Sequence, residues 1–139
     1  GDPRARVLVI GLAPAAHGAN RTGRVFTGDG PLGSGDFLMR AMHAHGFASI
    51  PTARHADDGL TLTDAFIAAA VRCAPPDNKP TPAEIKTCRS YLAARIASLP
   101  DLEVVLALGR IAHESVLSAL GQRSRFRRSE NAMNGFRLV

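Results

Sequence analysis

The chain has 139 residues, 45% of them apolar, and a formal net charge of +5. That length suits one compact α/β domain with a sizeable core and excludes two ordinary domains. No apolar run reaches the roughly 18 residues of a membrane-spanning helix. The opening GDPRARV lacks the apolar centre of a secretion signal, and two cysteines cannot build a disulfide framework. The expectation is a cytoplasmic protein with no membrane attachment. The positive charge suits a polyanion such as nucleic acid, and on charge alone it equally suits mere solubility.

In chain order, Arg6-Val-Leu-Val-Ile10 is a nearly continuous apolar run and predicts a buried parallel strand. It ends at Gly11, and about twenty residues rich in Gly, Pro and Asn follow; a loop of that length in a compact domain is usually functional. Ser34 or Asp36 can cap a helix with Phe37, Leu38, Ala41 and Met42 on its apolar face, ending near Gly46. Residues 47–60 are irregular, with room for one short strand. Leu62 to Ala70 is helix or buried strand, and periodicity does not choose between them. Pro75, Pro76, Pro80 and Pro82 mark a loop.

Thr81-Pro-Ala-Glu84 carries the signature of a helix start: Thr at the N-cap, Pro first, Glu third. That helix is expected to run to about Ser98. Leu102 to Leu108 predicts a second buried strand, and Gly109 leads into a helix from Arg110 to about Leu120. Alternating strand and helix argues a parallel α/β sheet with helices on both faces. Basic residues cluster at Arg21 to Arg24 and at Arg123 to Arg128, the latter around Phe126. A run of this kind is usually a solvated face. The chain begins without Met and stops at Phe136-Arg-Leu-Val139, which reads as the start of a strand. The expectation is a single domain over 1–139 that is incomplete at both ends.

The first loop leaves the carboxyl end of a buried strand, where ligands bind in open α/β sheets. It contains no P-loop and no Gly-x-Gly-x-x-Gly. It offers His17, Asn20, Arg21, Thr22, Arg24 and Asp29 as polar groups and Phe26 as its one aromatic. An aromatic beside backbone donors suits stacking on a base whose edge is hydrogen-bonded. The plainer reading is a surface loop with Phe26 tucked into the core.

The segment GLAPAAHGANRTGRVFTGD, Gly11 to Asp29, closely resembles motif 1 of the fifth family of uracil-DNA glycosylases, the type B enzymes with an iron–sulfur cluster. Ala70 to Pro80, followed by Thr87-Cys88-Arg89, resembles the second half of the cluster site in the fourth and fifth families. The resemblance covers most of residues 6–120. It implies a three-layer α/β/α fold with a central, mostly parallel sheet. It also implies a [4Fe-4S] cluster for which Cys73 and Cys88 match the third and fourth ligands. The first two, a close pair near the amino terminus in the family, have no match in the chain. Two cysteines fifteen apart are, without that context, more often plain buried residues.

The implied activity is hydrolysis of the N-glycosidic bond of uracil and related deaminated bases in DNA, by a monomer acting on a flipped-out base. The transition state is oxocarbenium-like, so the protein must stabilise the departing base and guide water. Ala13 stands where other families of the superfamily carry Asp, Asn or Glu. Asn20 and His17 are then the catalytic candidates, Asn20 for positioning water and His17 for phosphate or the leaving base. Backbone groups of Gly11, Leu12 and Ala13 would contact the base, and Phe26 matches the residue that stacks on it. Arg21 and Arg24 either contact phosphates or hold the loop by salt bridges.

The Asn that reads the uracil edge in related families falls at Ala69 or a neighbour, and its loss should relax specificity. The last family motif, a His followed by an intercalating loop, should follow the strand that begins at Phe136. His113 reads as a helix-surface or packing residue, and His43 and His45 as the exposed end of a helix. Two alternatives stand beside the enzyme: a non-enzymatic nucleic-acid-binding relative, motivated by Ala13, and a nucleoside or nucleotide hydrolase on a similar sheet.

Overall fold

The computed structural model describes residues 1–28, 30 and 33–123. Its elements run β1 (Val7–Gly11), α1 (Ala19–Thr22), α2 (Ser34–Ala44), β2 (Ala65–Ala69), α3 (Pro82–Ala97), β3 (Val104–Ala107) and α4 (Arg110–Ala119). The sheet has the order β2-β1-β3, and both pairings are parallel. β1 is therefore central, which is why its apolar run is continuous rather than alternating.

Successive side chains of β1 enter opposite layers, as the period of two requires. Leu8 and Ile10 pack with Leu92 and Leu99 of the α3 region and with Ala112 and Val116 of α4. Val9 packs on the other face with Leu38, Met39 and Met42 of α2. The result is a three-layer α/β/α arrangement about a parallel sheet, as the resemblance implies.

Leu62–Ala70, ambiguous in isolation, resolves into the strand Ala65–Ala69, because every residue of that segment has a partner on β1, from Val7↔Ala65 to Gly11↔Ala69. Leu62 instead forms an isolated antiparallel bridge with Ala48. At α3 the expected capping box is present: Glu84 N–H donates to Thr81 Oγ1 at 3.3 Å, and Thr81 N–H donates to Glu84 Oε2 at 2.6 Å. The bonds that the Thr81 N–H and the Thr81 hydroxyl donate to Glu84 Oε2 hold the Glu84 carboxyl below its ordinary pKa.

At α2 the expectation fails. Neither Ser34 nor Asp36 caps the helix; Gly33 occupies the N-cap, and Asp36 lies inside the first turn, buried and ion-paired to Arg54 at 2.9 Å. The one-turn helix α1, inside the first loop, and a 3-10 turn at Pro76–Asn78 were not anticipated. His43 and His45 are exposed, and His113 is half-buried on α4. Asp29, the part of the basic cluster beyond Arg123, and the strand expected from Phe136 lie outside the described residues. Among the described residues no helix is long and apolar enough to cross a membrane.

Candidate active site

Parallel pairing brings the carboxyl ends of all three strands to one edge of the sheet, at Gly11, Ala69 and Ala107. The chain leaving β1 stays joined to the chain leaving β2: Ala70 N–H donates to the Gly11 carbonyl at 2.9 Å and Val71 N–H to the Leu12 carbonyl at 3.0 Å. Ala69 stands directly beside Gly11 in the register. Its methyl group offers no hydrogen bond to a ligand at that edge.

Phe26 returns to this point from fifteen residues further along. Its ring lies against Gly11 so closely that a β-carbon there would stand 2.7 Å from Phe26 Cζ and 2.8 Å from Cε2. Gly11 is required here by close approach and not by an unusual backbone angle. Phe26 itself has φ of 53°, in the left-handed region that non-glycine residues rarely adopt. The ring is half-buried, so it is neither a free surface group nor fully absorbed into the core.

The segment carrying Phe26 is anchored on both sides. Arg24 Nη2 donates to both Asp58 carboxylate oxygens at 2.7 and 2.8 Å, its Nη1 to the Ala56 carbonyl at 3.2 Å, and its Nε to Thr27 Oγ1 at 2.9 Å. Gly28 N–H donates to the Ala53 carbonyl at 2.9 Å. Asp58 also accepts from the backbone N–H groups of Arg54 and Leu60, at 2.7 and 3.0 Å. Burial by itself would raise the Asp58 carboxyl. The hydrogen bond from Arg24, those from Leu60 and Arg54, and the charge of Arg24 outweigh it and hold the group well below the usual carboxylate range. Arg54 then reaches Asp36 on α2. Of the two roles open to Arg24, its guanidinium takes the one of holding the loop.

His17 and Asn20 are exposed. Gly18 occupies the N-cap of α1 and Gly23, with φ of 73°, closes it, while Asn20 N–H donates to the Ala15 carbonyl at 3.0 Å. Arg21 Nε donates to the His17 carbonyl at 3.1 Å, and the side chain is otherwise exposed. Asn20 lines a cleft of about 730 Å³ whose walls include Ala68, Ala69, Arg72, Tyr91 and Arg95. Arg72 stacks on Tyr91 with its guanidinium carbon 4.7 Å from the ring centre, and Arg95 stacks on Phe66 at 4.4 Å. Phe26 is not on the walls of this cleft. The structure thus sets the Phe26 ring against Gly11, while Asn20 lines a basic cleft beside β2 whose walls also include Arg24 and Val25, just before Phe26.

Arg72, Tyr91 and Asp58 escaped the sequence reading. Asp58 sits in an irregular segment, and its partner Arg24 is 34 residues away. Tyr91 had one signal: it follows Cys88 by three residues and so shares its side of α3.

Cys73 is exposed just beyond β2, and Cys88 is buried on α3; both are free thiols. Among the described residues no group of three or more His, Cys, Asp or Glu side chains is placed to hold a metal ion. The donors are of the right kind for a thiolate-bound cluster, but they supply half of a four-ligand set.

Residues 1–136 match the Uracil DNA glycosylase superfamily. A type-5 uracil-DNA glycosylase of Thermus thermophilus is 50% identical over 123 residues, covering 88% of this chain and 54% of that protein. The type-5 uracil-DNA glycosylase of Mycobacterium bovis is 48% identical over 122 residues, 87% of this chain and 44% of the relative. That of Pyrobaculum aerophilum is 46% identical over 121 residues, 87% and 52% respectively. The chain thus spans about half the length of the curated relatives it matches. With the parallel sheet and the loop from Gly11 to Phe26 in place, this match establishes that the chain belongs to the uracil DNA glycosylase superfamily.

Proposed function

We propose that the chain carries the base-binding part of a DNA-repair glycosylase that hydrolyses the N-glycosidic bond of uracil and related deaminated bases after flipping them from DNA. The observation that carries this reading is the Phe26 ring held against Gly11 at the carboxyl end of the central strand. A planar side chain fixed at the carboxyl ends of the strands is what a flipped base needs for stacking. The names of the type-5 relatives support the same chemistry.

In this reading the base stacks on Phe26, and backbone groups of Gly11, Leu12 and Ala13 contact its edge. Asn20 positions the attacking water and His17 assists at phosphate or leaving base. Ala69 removes an edge reader, so bases other than uracil leave no buried polar group unpaired and the range broadens. Arg21, exposed at the end of α1, contacts phosphate. Cys73 and Cys88 supply two of the four thiolates of a [4Fe-4S] cluster, and the other two come from outside these 139 residues. Bound there, the cluster would tie the β2–α3 connection together and supply no step of the hydrolysis. The protein acts as a monomer in the cytoplasm.

The test is release of uracil from a labelled oligonucleotide by the protein at its full natural length. Release supports the reading; none from single- or double-stranded substrate sinks it. Ala13, which cannot activate water, favours one second reading, a nucleic-acid-binding relative without activity. Binding to uracil-containing DNA with no base release would establish that one instead.

A further inference from the structure

We propose that Gly35, on the first turn of α2, is a positioning residue that fixes where the Phe26 ring stands. This rests on the reading of Phe26 as the stacking surface for the base. A β-carbon at Gly35 would collide with the Phe26 carbonyl oxygen and stand 2.8 Å from its carbonyl carbon. Both partners there are backbone, so neither can swing aside as a flexible side chain would. Glycine inside a helix is unfavourable relative to alanine, and Gly35 has an ordinary helical backbone. What glycine provides at this position is the close approach.

Three further observations show why that approach governs the ring. Phe26 has φ of 53°, so its backbone is held in a conformation it would otherwise leave. Arg24 bound to Asp58 and Gly28 bound to Ala53 fix the chain on either side of it. The Arg54–Asp36 ion pair ties that same anchoring segment to the first turn of α2, next to Gly35. With both flanks fixed, a methyl group at Gly35 can be accommodated only by moving the Phe26 peptide. The ring then shifts against Gly11, where an added β-carbon would stand 2.7 Å from its tip. Gly35 and Gly11 together form a seat, one under the backbone of Phe26 and one against the tip of its ring.

The experiment compares wild type, Gly35→Ala, Phe26→Leu and the double variant, each at full natural length. One arm measures single-turnover release of uracil from an oligonucleotide. The other measures the nuclear Overhauser contact between the Gly11 α-protons and the Phe26 ring, which needs no activity. Gly35→Ala is expected to weaken that contact and to slow release on the order of tenfold to a hundredfold, as a misplacement of about 1 Å can do. Its thermal midpoint is expected to fall as well, because the methyl group presses on backbone that cannot swing aside. Added to Phe26→Leu, the same change should cost less than about twofold, because the ring it displaces is gone.

An undiminished contact with an unchanged rate overturns the proposal, as does an equal loss in both backgrounds. A wild type that releases no uracil overturns the functional reading alone, and the contact measurement still decides the seat. Should Gly35→Ala not fold, the wild type decides: a nuclear Overhauser contact between the Gly35 α-protons and the Phe26 α-proton supports the close approach, and its absence overturns the proposal.

Discussion

Arg24 and Asp58, far apart in sequence, form a forked pair in which one guanidinium nitrogen bridges both carboxylate oxygens at 2.7 and 2.8 Å. Asp58 retains only 7% of its side-chain surface in water, and Arg24 retains 25%. The pair holds the loop that carries Phe26 against residues 54–60. Arg24→Ala leaves a buried carboxylate without its charged partner, and should cost about 2 kcal/mol in urea unfolding, less than the roughly 3–5 kcal/mol of fully buried pairs because Arg24 is partly solvated. Its effect on the salt dependence of DNA binding should be nil. Arg21→Ala should do the reverse, leaving stability unchanged and lowering the slope of log K against log salt by about one. A reduced salt slope for Arg24→Ala would put that guanidinium on phosphate instead.

The same pair sets an acid limit. The Asp58 carboxyl lies below its unfolded value in the folded protein. Its stabilising contribution is therefore fully present above the unfolded pKa of about 3.9 and is lost as pH falls from there toward the folded value. Asp64, lowered by hydrogen bonds from Arg6, acts in the same direction. Thermal midpoints should fall with pH below about 5. Asp58→Asn should lower the midpoint at neutral pH and flatten the acid limb, while a limb as steep as wild type would assign the acid sensitivity elsewhere.

Stacking and water positioning separate in kinetics. Phe26→Ala removes the ring that meets the base and should lower kcat/KM for uracil release by about 1–3 kcal/mol of binding, roughly 5- to 150-fold. Asn20→Ala should lower kcat with KM little changed, because a group that guides water acts in the transition state. An unchanged kcat would remove Asn20 from the catalytic list. That outcome would turn attention to its place in the basic cleft with Arg72 and Arg95.

The two thiols differ in setting, and their variants should differ too. Cys73→Ser and Cys88→Ser should each lower the iron content of anaerobically purified full-length protein, since a four-thiolate cluster tolerates loss of a ligand poorly. Cys88→Ser should in addition lower stability, because Cys88 is buried on α3, whereas Cys73 is exposed. Wild-type iron content in both variants, or none in wild type, would return them to the plain role of unligated cysteines.

Local patterns carried much of the fold. The apolar run of β1, the capping box at Thr81 and Glu84, and the Gly109 turn into α4 could be read without partners, because each depends on residues within a few positions of one another. The loop from Gly11 to Phe26 pointed to the superfamily for the same reason. The strand Ala65–Ala69 could not be told from a helix until β1 supplied its register. Asp36 is chemically a good cap, but burial beside Arg54 claimed it. Arg24 was open between phosphate and salt bridge until the fold delivered Asp58, and nothing near Gly35 in the sequence points to the backbone of Phe26. These contacts lie between segments far apart along the chain. Side-chain type determines what such residues can do, and only the tertiary packing decides which partner they meet.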